Sequence, residues 1–231
     1  GYIFEELKKF LIKNNLINEN WNGLNILVQN ASTVGLLDLK ILQDKKEKSS
    51  SFFDDLKNRK FKLLYLLGSD NLEFQKNDEF IVYQGSHGDR GAEIADLILP
   101  SATYTEQNGL YENLEGRIQE CKKASYPIGE ALEDWKIFNQ IIKKLGSKDY
   151  KVKFDELRKE VLETVPNFSG INELPKKSVI KTNNIETSFF SEKIFVRELD
   201  YYYTNSISRS SKTMSECRQI RQKIKKDGTN N

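Results

Sequence analysis

One stretch gathers most of the residues that could do chemistry. Gln84-Gly85-Ser86-His87-Gly88-Asp89-Arg90-Gly91 places the only histidine of the chain between a serine and an aspartate. These are the residue types of a hydrolytic triad. Triads, however, are assembled by the fold, and residues this close in sequence rarely align as nucleophile, base and orienter. A metal reading needs three or four ligands, and His87 is alone. His87 is therefore expected to be a turn histidine that bonds backbone or a neighbouring subunit. Gly85, Gly88 and Gly91 suggest a phosphate cradle, because glycine-rich turns after strands bind phosphates. Their G-x-x-G-x-x-G spacing matches neither the dinucleotide nor the P-loop pattern. Glu106, Glu112, Glu115 and Glu120 could pair as acid and base, but charges in polar turns are usually solvated or salt-bridged. They are given no catalytic role, and Arg117 is expected to fix its own turn through bidentate bonds. Cys121 and Cys217 are too few and too distant for a disulfide framework or an iron–sulfur site, and read as free thiols.

The elements that would position these residues have an α/β texture. Leu24–Gln29, Phe61–Leu67, Glu79–Gln84 and Asp96–Pro100 are short runs with apolar centres, which suits strands covered on both faces of a parallel sheet. Short helical pieces fall between them at Thr33–Leu42, Phe52–Asn58 and Ala92–Ala95. Together they predict a doubly wound, mostly parallel sheet from about Asn22 to Pro100. Ile3–Asn14 reads as an amphipathic helix with Phe4, Leu7, Phe10 and Leu11 on its apolar face. Glu133–Leu145 and Phe154–Val165 read as further helices, the second stopped before Pro166. Asn167–Ser191 reads as an extended connector, and Ile194–Tyr203 as a strand or arm. The expected domain organisation is an α/β domain over 1–165, followed over 166–231 by a connector and an extended tail.

Composition narrows the class. The chain has 231 residues, 38% hydrophobic and 30% charged, which is too apolar for wholesale disorder. With 36 basic and 34 acidic residues its net charge is +2, so a dedicated nucleic-acid binder is disfavoured. No apolar run is long enough to span a bilayer, so direct membrane insertion is not expected. The tail combines Tyr201, Tyr202 and Tyr203 with Arg209, Lys212, Arg218 and Arg221. Tyr and Arg anchor interfaces, so Tyr201, Tyr202, Arg209, Lys212 and Arg218 are interaction candidates. Packing of the tail back on its own domain stands as an equal alternative.

Four blocks carry a resemblance: HGDRGAEIADLILP from His87, YTEQNGLYENLEGRIQ from Tyr104, WNGLNILVQNASTVGLLDL from Trp21 and YYYTNSISRSSKTMSEC from Tyr201. Together they resemble the C-terminal region of the large iron–sulfur subunit of respiratory complex I. That region is itself similar to the molybdopterin oxidoreductases. The resemblance implies a structural part of the peripheral arm of a proton-pumping NADH:ubiquinone oxidoreductase. It implies no cofactor in this chain and iron–sulfur clusters on a partner, a cysteine-rich chain carrying the N-terminal half. It also implies the matrix side of the mitochondrial inner membrane. In the molybdopterin relatives the carboxyl edge of the sheet faces a pterin dinucleotide. By that geometry Ser32, Ser69, Asp70, Gln84, Gly85 and His87 would line a vestigial crevice. The alternative is a fragment of a molybdopterin-dependent oxidoreductase that contributes cofactor-binding residues.

Overall fold

A computed structural model of the chain describes residues 2–28, 30–31, 33–41, 52–69, 75–165, 168, 170–174 and 200–228. In chain order the elements are α1 (Tyr2–Lys13), α2 (Thr33–Asp38), α3 (Phe52–Lys57), β1 (Leu63–Leu67), β2 (Phe80–Gly85), α4 (Arg90–Glu93) and β3 (Leu97–Pro100). They continue with β4 (Gly109–Glu112), β5 (Ile118–Cys121), α5 (Asp134–Lys144), α6 (Phe154–Thr164), α7 (Ser206–Ser210) and α8 (Lys212–Gly228). The chain divides into two compact units that interleave in sequence. One takes Gly1–Asp44, Gly109–Cys121 and Lys153–Phe195; the other takes Lys45–Asn108, Lys122–Val152 and Val196–Asn231.

The second of these, the sheet unit, is built on a parallel sheet of order β1-β2-β3. Alternation along the strands sends side chains to both faces. On one face Leu64, Leu66, Ile81 and Tyr83 join Leu56 of α3 in the core, with Ala92, Ile94 and Ala95 packed against them. On the other, Tyr65 stacks on Phe138 of α5 with ring centroids 5.6 Å apart. Cover on both faces of β1 and β2 explains why the centres of these two strands are apolar without a break, whereas Leu97 and Ile98 of β3 are exposed. Each fully buried Leu or Ile in this core contributes roughly 1.5–3 kcal/mol. The turn into β3 is closed by Asp96, whose Oδ2 accepts from the Ile81 amide at 2.8 Å and whose Oδ1 meets Lys76 Nζ at 2.6 Å. Helix α5 begins at Glu133, a nearly buried carboxylate. It receives Trp135 Nε1 at 3.0 Å, Lys136 Nζ at 3.0 Å and Lys123 Nζ at 3.2 Å. Burial would raise its pKa, but these three donors outweigh burial and hold the carboxyl below its ordinary range.

The other unit, the hairpin unit, centres on the antiparallel pair β4–β5 and α6. Ile118, Val165 and Phe168 form its core, with Leu110, Val161 and Leu162 packed against them. The hairpin turn is an Asx-type turn. Asn113 Oδ1 accepts from the amides of Glu115 at 3.0 Å and Arg117 at 2.9 Å, and Gly116 takes φ +80°. A positive φ of that size is the conformation glycine adopts at least cost.

Two expectations are corrected. Leu24–Gln29 does not form a strand over its described residues, 24–28, where Ile26 and Leu27 are 53% and 84% exposed. No described strand of its own unit offers it a ladder partner, and an apolar run becomes a strand only when one exists. Helix α1 forms as the amphipathic helix expected there. Glu5 and Lys8 are buried as an ion pair of 2.6 Å, while Phe4, Leu7 and Phe10 are exposed. The C-terminal tail is helical over α7 and α8 rather than extended. Asn205 and Ser208 form a capping box, with Asn205 Oδ1 accepting from the Ser208 amide at 2.8 Å and Ser208 Oγ accepting from the Asn205 amide at 3.1 Å. Most of the Asn167–Ser191 connector, the Asp44–Ser51 loop and Ile194–Leu199 lie outside the described residues.

Glu112 also departs from expectation, since it is buried rather than solvated. Burial, then the charge and hydrogen bond of Asp38, push its pKa up to about 7. A carboxyl whose folded pKa lies above its unfolded value contributes most at low pH and loses that contribution as pH rises through the folded value. The hairpin unit should therefore lose stability between about pH 4.5 and pH 7. Glu112→Gln keeps a donor for Asp38 but cannot ionise. Thermal unfolding should show the variant more stable than wild type at pH 8 and indistinguishable from it at pH 5.

Candidate functional site

The carboxyl ends of β1, β2 and β3 meet at one edge of the sheet unit, where a doubly wound fold places its ligands. Gly68 N donates to Gln84 O at 2.8 Å, and Ser101 N donates to Gly85 O at 3.1 Å, so the three strand ends are tied together. Of the six crevice candidates, Ser32 and Asp70 lie outside the described residues. Ser69, Gln84, Gly85 and His87 are all found at this edge.

Gln84 is fully buried. Its Nε2 donates to Asp134 Oδ1 at 2.6 Å, and its Oε1 accepts from the Tyr65 hydroxyl. Asp134 is held in turn by Gln107, whose Nε2 donates to Oδ2 at 2.9 Å and whose Oε1 accepts from the Asp134 amide at 3.1 Å. Burial, followed by the nearby charge of Asp134, raises the Tyr65 pKa above its ordinary range. Tyr65 thus stays a donor at neutral pH. Both ends of the Gln84 amide are engaged inside the protein and do not point to a ligand.

The glycines serve the same inward purpose. A Cβ on Gly85 would run into the Tyr83 phenol, and one on Gly91 would sit 2.7 Å from Ser69 O and 2.9 Å from the Tyr83 ring. The Tyr83 hydroxyl reaches past them to donate to His87 O at 2.8 Å. The ring of Tyr83 therefore fills the space that the two glycines leave. Gly88, by contrast, has nothing within 4 Å of a built Cβ. Gly85 and Gly91 are the two positions where the turn needs glycine, and the reason is a tyrosine rather than a phosphate.

Ser86, His87 and Asp89 do not form a triad. His87 Nδ1 is 2.9 Å from Ser86 Oγ, but Asp89 turns elsewhere. Its Oδ1 accepts from the Arg90 amide at 2.8 Å, capping α4, and its Oδ2 accepts from Arg209 Nε at 2.6 Å. Burial would raise the Asp89 pKa, but the bonds from Arg209 and the Arg90 amide outweigh it and lower it. Arg209, an interaction candidate, thus fastens α7 to the start of α4 within the sheet unit. The other tail candidates are engaged in the same unit. Arg218 pairs with Asp200 and lies 4.5 Å from the centroid of Tyr203, while Arg221 lies 5.4 Å from Tyr201 and 5.9 Å from Tyr202. Lys212 sits 4.0 Å from Glu216 on the solvent side of α8. Arg117 does not fix its own turn; its Nη1 donates to Asn172 O at 3.0 Å, 55 residues away.

Sequence reasoning missed the Tyr65–Gln84–Asp134–Gln107 network. Its one legible sign was a glutamine closing an otherwise apolar strand. The α/β fold with its parallel sheet is consistent with what the comparisons to known proteins find. The molybdopterin oxidoreductase family profile matches residues 2–144. The chain belongs to the molybdopterin oxidoreductase family. A second profile, the C-terminal part of the NADH-ubiquinone oxidoreductase G subunit, matches residues 170–217. Over 93% of its length the chain is 39% identical to the NADH-ubiquinone oxidoreductase 75 kDa subunit of Reclinomonas americana, covering 31% of that protein. It is 37% identical, over 98% of its length and 32% of the relative, to the NADH-quinone oxidoreductase G subunit of Rickettsia bellii. It is 36% identical, over 93% of its length and 29% of the relative, to the mitochondrial NADH-ubiquinone oxidoreductase 78 kDa subunit of Neurospora crassa. The chain thus spans about a third of the length of these relatives.

Membership in the family raises the question of its pterin cofactor. The described residues at the sheet edge do not fit it, because both ends of the Gln84 amide are engaged by Tyr65 and Asp134 and Tyr83 takes the room between Gly85 and Gly91. If the glycines answer to Tyr83, Gly91→Ala should destabilise the chain by about 1–3 kcal/mol through overpacking, whereas Gly88→Ala should be near neutral. Urea unfolding of the two variants measures the difference.

Proposed function

We propose that this chain is the C-terminal α/β part of the large iron–sulfur subunit of NADH:ubiquinone oxidoreductase, complex I. In that role it completes and supports the peripheral arm and carries no electron itself. The observation that carries the proposal is the shared profile and identity with the G subunit and its 75 and 78 kDa counterparts, over nearly the whole chain.

The chemistry is consistent with a supporting part. Moving electrons from NADH to ubiquinone needs a chain of clusters, and each cluster of the common type needs four thiolates or a histidine substitute. Cys121 and Cys217 cannot supply these. The clusters then belong to a cysteine-rich partner that carries the rest of the large subunit. This chain holds no cofactor; its part is to present surfaces to that partner. Helix α1 offers one, since Ile3, Phe4, Leu7 and Phe10 are exposed to 74%, 39%, 42% and 58%. A group of apolar side chains on one helix is the kind of surface that a partner covers. Among the described residues no helix is long and apolar enough to cross a membrane. The proposed place is the matrix side of the mitochondrial inner membrane, reached through protein partners.

The test is native electrophoresis of solubilised source membranes, stained for NADH dehydrogenase activity and followed by mass spectrometry of the active band. The proposal predicts this chain in that band together with a cysteine-rich subunit. An active band that lacks the chain would overturn it.

A further inference from the structure

Helix α2 of the hairpin unit is unused by the function proposed above. It contains no buried residue. Gly35 and the following Leu39 share a half-open cavity of about 210 Å³ with Leu110, Ile118, Leu157 and Val161. The apolar contact of α2 with the hairpin and α6 is thus underfilled, and burial contributes little to holding the helix in place. Two contacts keep it against β4. The backbone at Gly35 lies close to Glu112, since a Cβ there would stand 3.7 Å from the Glu112 Cβ. Asp38, the last residue of the helix, hydrogen-bonds the Glu112 carboxyl.

Two carboxyl groups bond each other only while one carries a proton, because ionised carboxylates are acceptors alone. Glu112 has no ready exchange of Asp38 for water. It is 6% exposed, and its Oε2 is buried without a hydrogen-bond partner. Its cross-strand neighbour on β5 is the apolar Ile118. Arg158 of α6, the one cation among the described residues lining the cavity, is paired with Glu120 of β5 at 2.9 Å. Loss of the shared proton therefore breaks the bond and sets two like charges together in a partly desolvated site. Burial, then the charge and hydrogen bond of Asp38, place that loss at about pH 7.

We infer that α2 is a proton-dependent lid on the hairpin unit, held against β4 while Glu112 and Asp38 share a proton and released when both are ionised. A helix of six residues is too short to persist in water once detached, so release unwinds it. The inference does not rest on the proposed function, because it concerns the chain alone.

The test is hydrogen–deuterium exchange of the purified full chain at about pH 5.5 and about pH 8.5, on either side of the transition and corrected for the intrinsic pH dependence of exchange. The reporting amides are Leu39, Lys40 and Ile41, which donate to the carbonyls of Gly35, Leu37 and Leu36 at 2.9, 2.9 and 3.0 Å. With a closed-state value of about 7 against the ordinary 4.5, their opening constant should rise roughly 30-fold from the lower pH to the higher. The amides of β5 and α6 should keep their protection. Glu112→Gln still donates to Asp38 but cannot ionise, so the rise should vanish in that variant. An opening constant that does not change with pH would overturn the inference. So would a rise that survives Glu112→Gln, or an equal loss of protection in β5 and α6, which would mean unfolding of the whole unit. If Glu112→Gln does not fold, the wild-type profile and the β5 and α6 amides still decide the matter.

Discussion

The sheet unit depends on a single buried amide. Gln84 lies in the central strand, fully buried, with Tyr65 of β1 on one end and Asp134 of α5 on the other. An amide in that position must be matched at both ends, since each unmatched group would cost about 1–3 kcal/mol. Matching it fixes the register of β1 against β2 and the place where α5 starts. Through Asp134 it also fixes Gln107, just ahead of the hairpin β4–β5. Tyr83, one residue earlier and on the opposite face, fills the turn beyond the strand. Together the two side chains occupy the space on either face at the end of the central strand.

That change accounts for much of what the sequence obscured. The strands β1, β2 and β3 and the helices α5 and α6 were legible because their periodicity reflects burial on two faces or one. The crevice was not, because glycines that admit a ligand and glycines that admit a neighbouring ring look alike in sequence. Gly85 and Gly91 differ from Gly88 only in what lies across from them. Ser86, His87 and Asp89 looked like a constellation because they are adjacent, whereas Asp89 is committed to Arg209, 120 residues later. Such long-range pairs leave no local trace.

Helices α1 and α8 differed in how far the sequence made them legible. The amphipathic spacing made α1 legible as a helix, in which Glu5 and Lys8 are the buried pair and Phe4, Leu7 and Phe10 are exposed. Helix α8 lacks a clear apolar face, with Ile220 and Ile224 each more than 60% exposed, so its periodicity was weak. Arg218 and Arg221 against Tyr201, Tyr202 and Tyr203 supply the packing that an apolar stripe would otherwise give. The capping residues Asn205 and Ser208 were the readable sign of helix in this segment.

The central claim, which we propose, is that the described residues of the family's ligand edge serve the fold rather than a pterin. Elemental analysis of the purified native assembly tests it most directly, with molybdenum and tungsten measured against iron and against the amount of this chain. The account predicts abundant iron and neither of the other two metals. Molybdenum or tungsten in stoichiometric amount with the chain would contradict it.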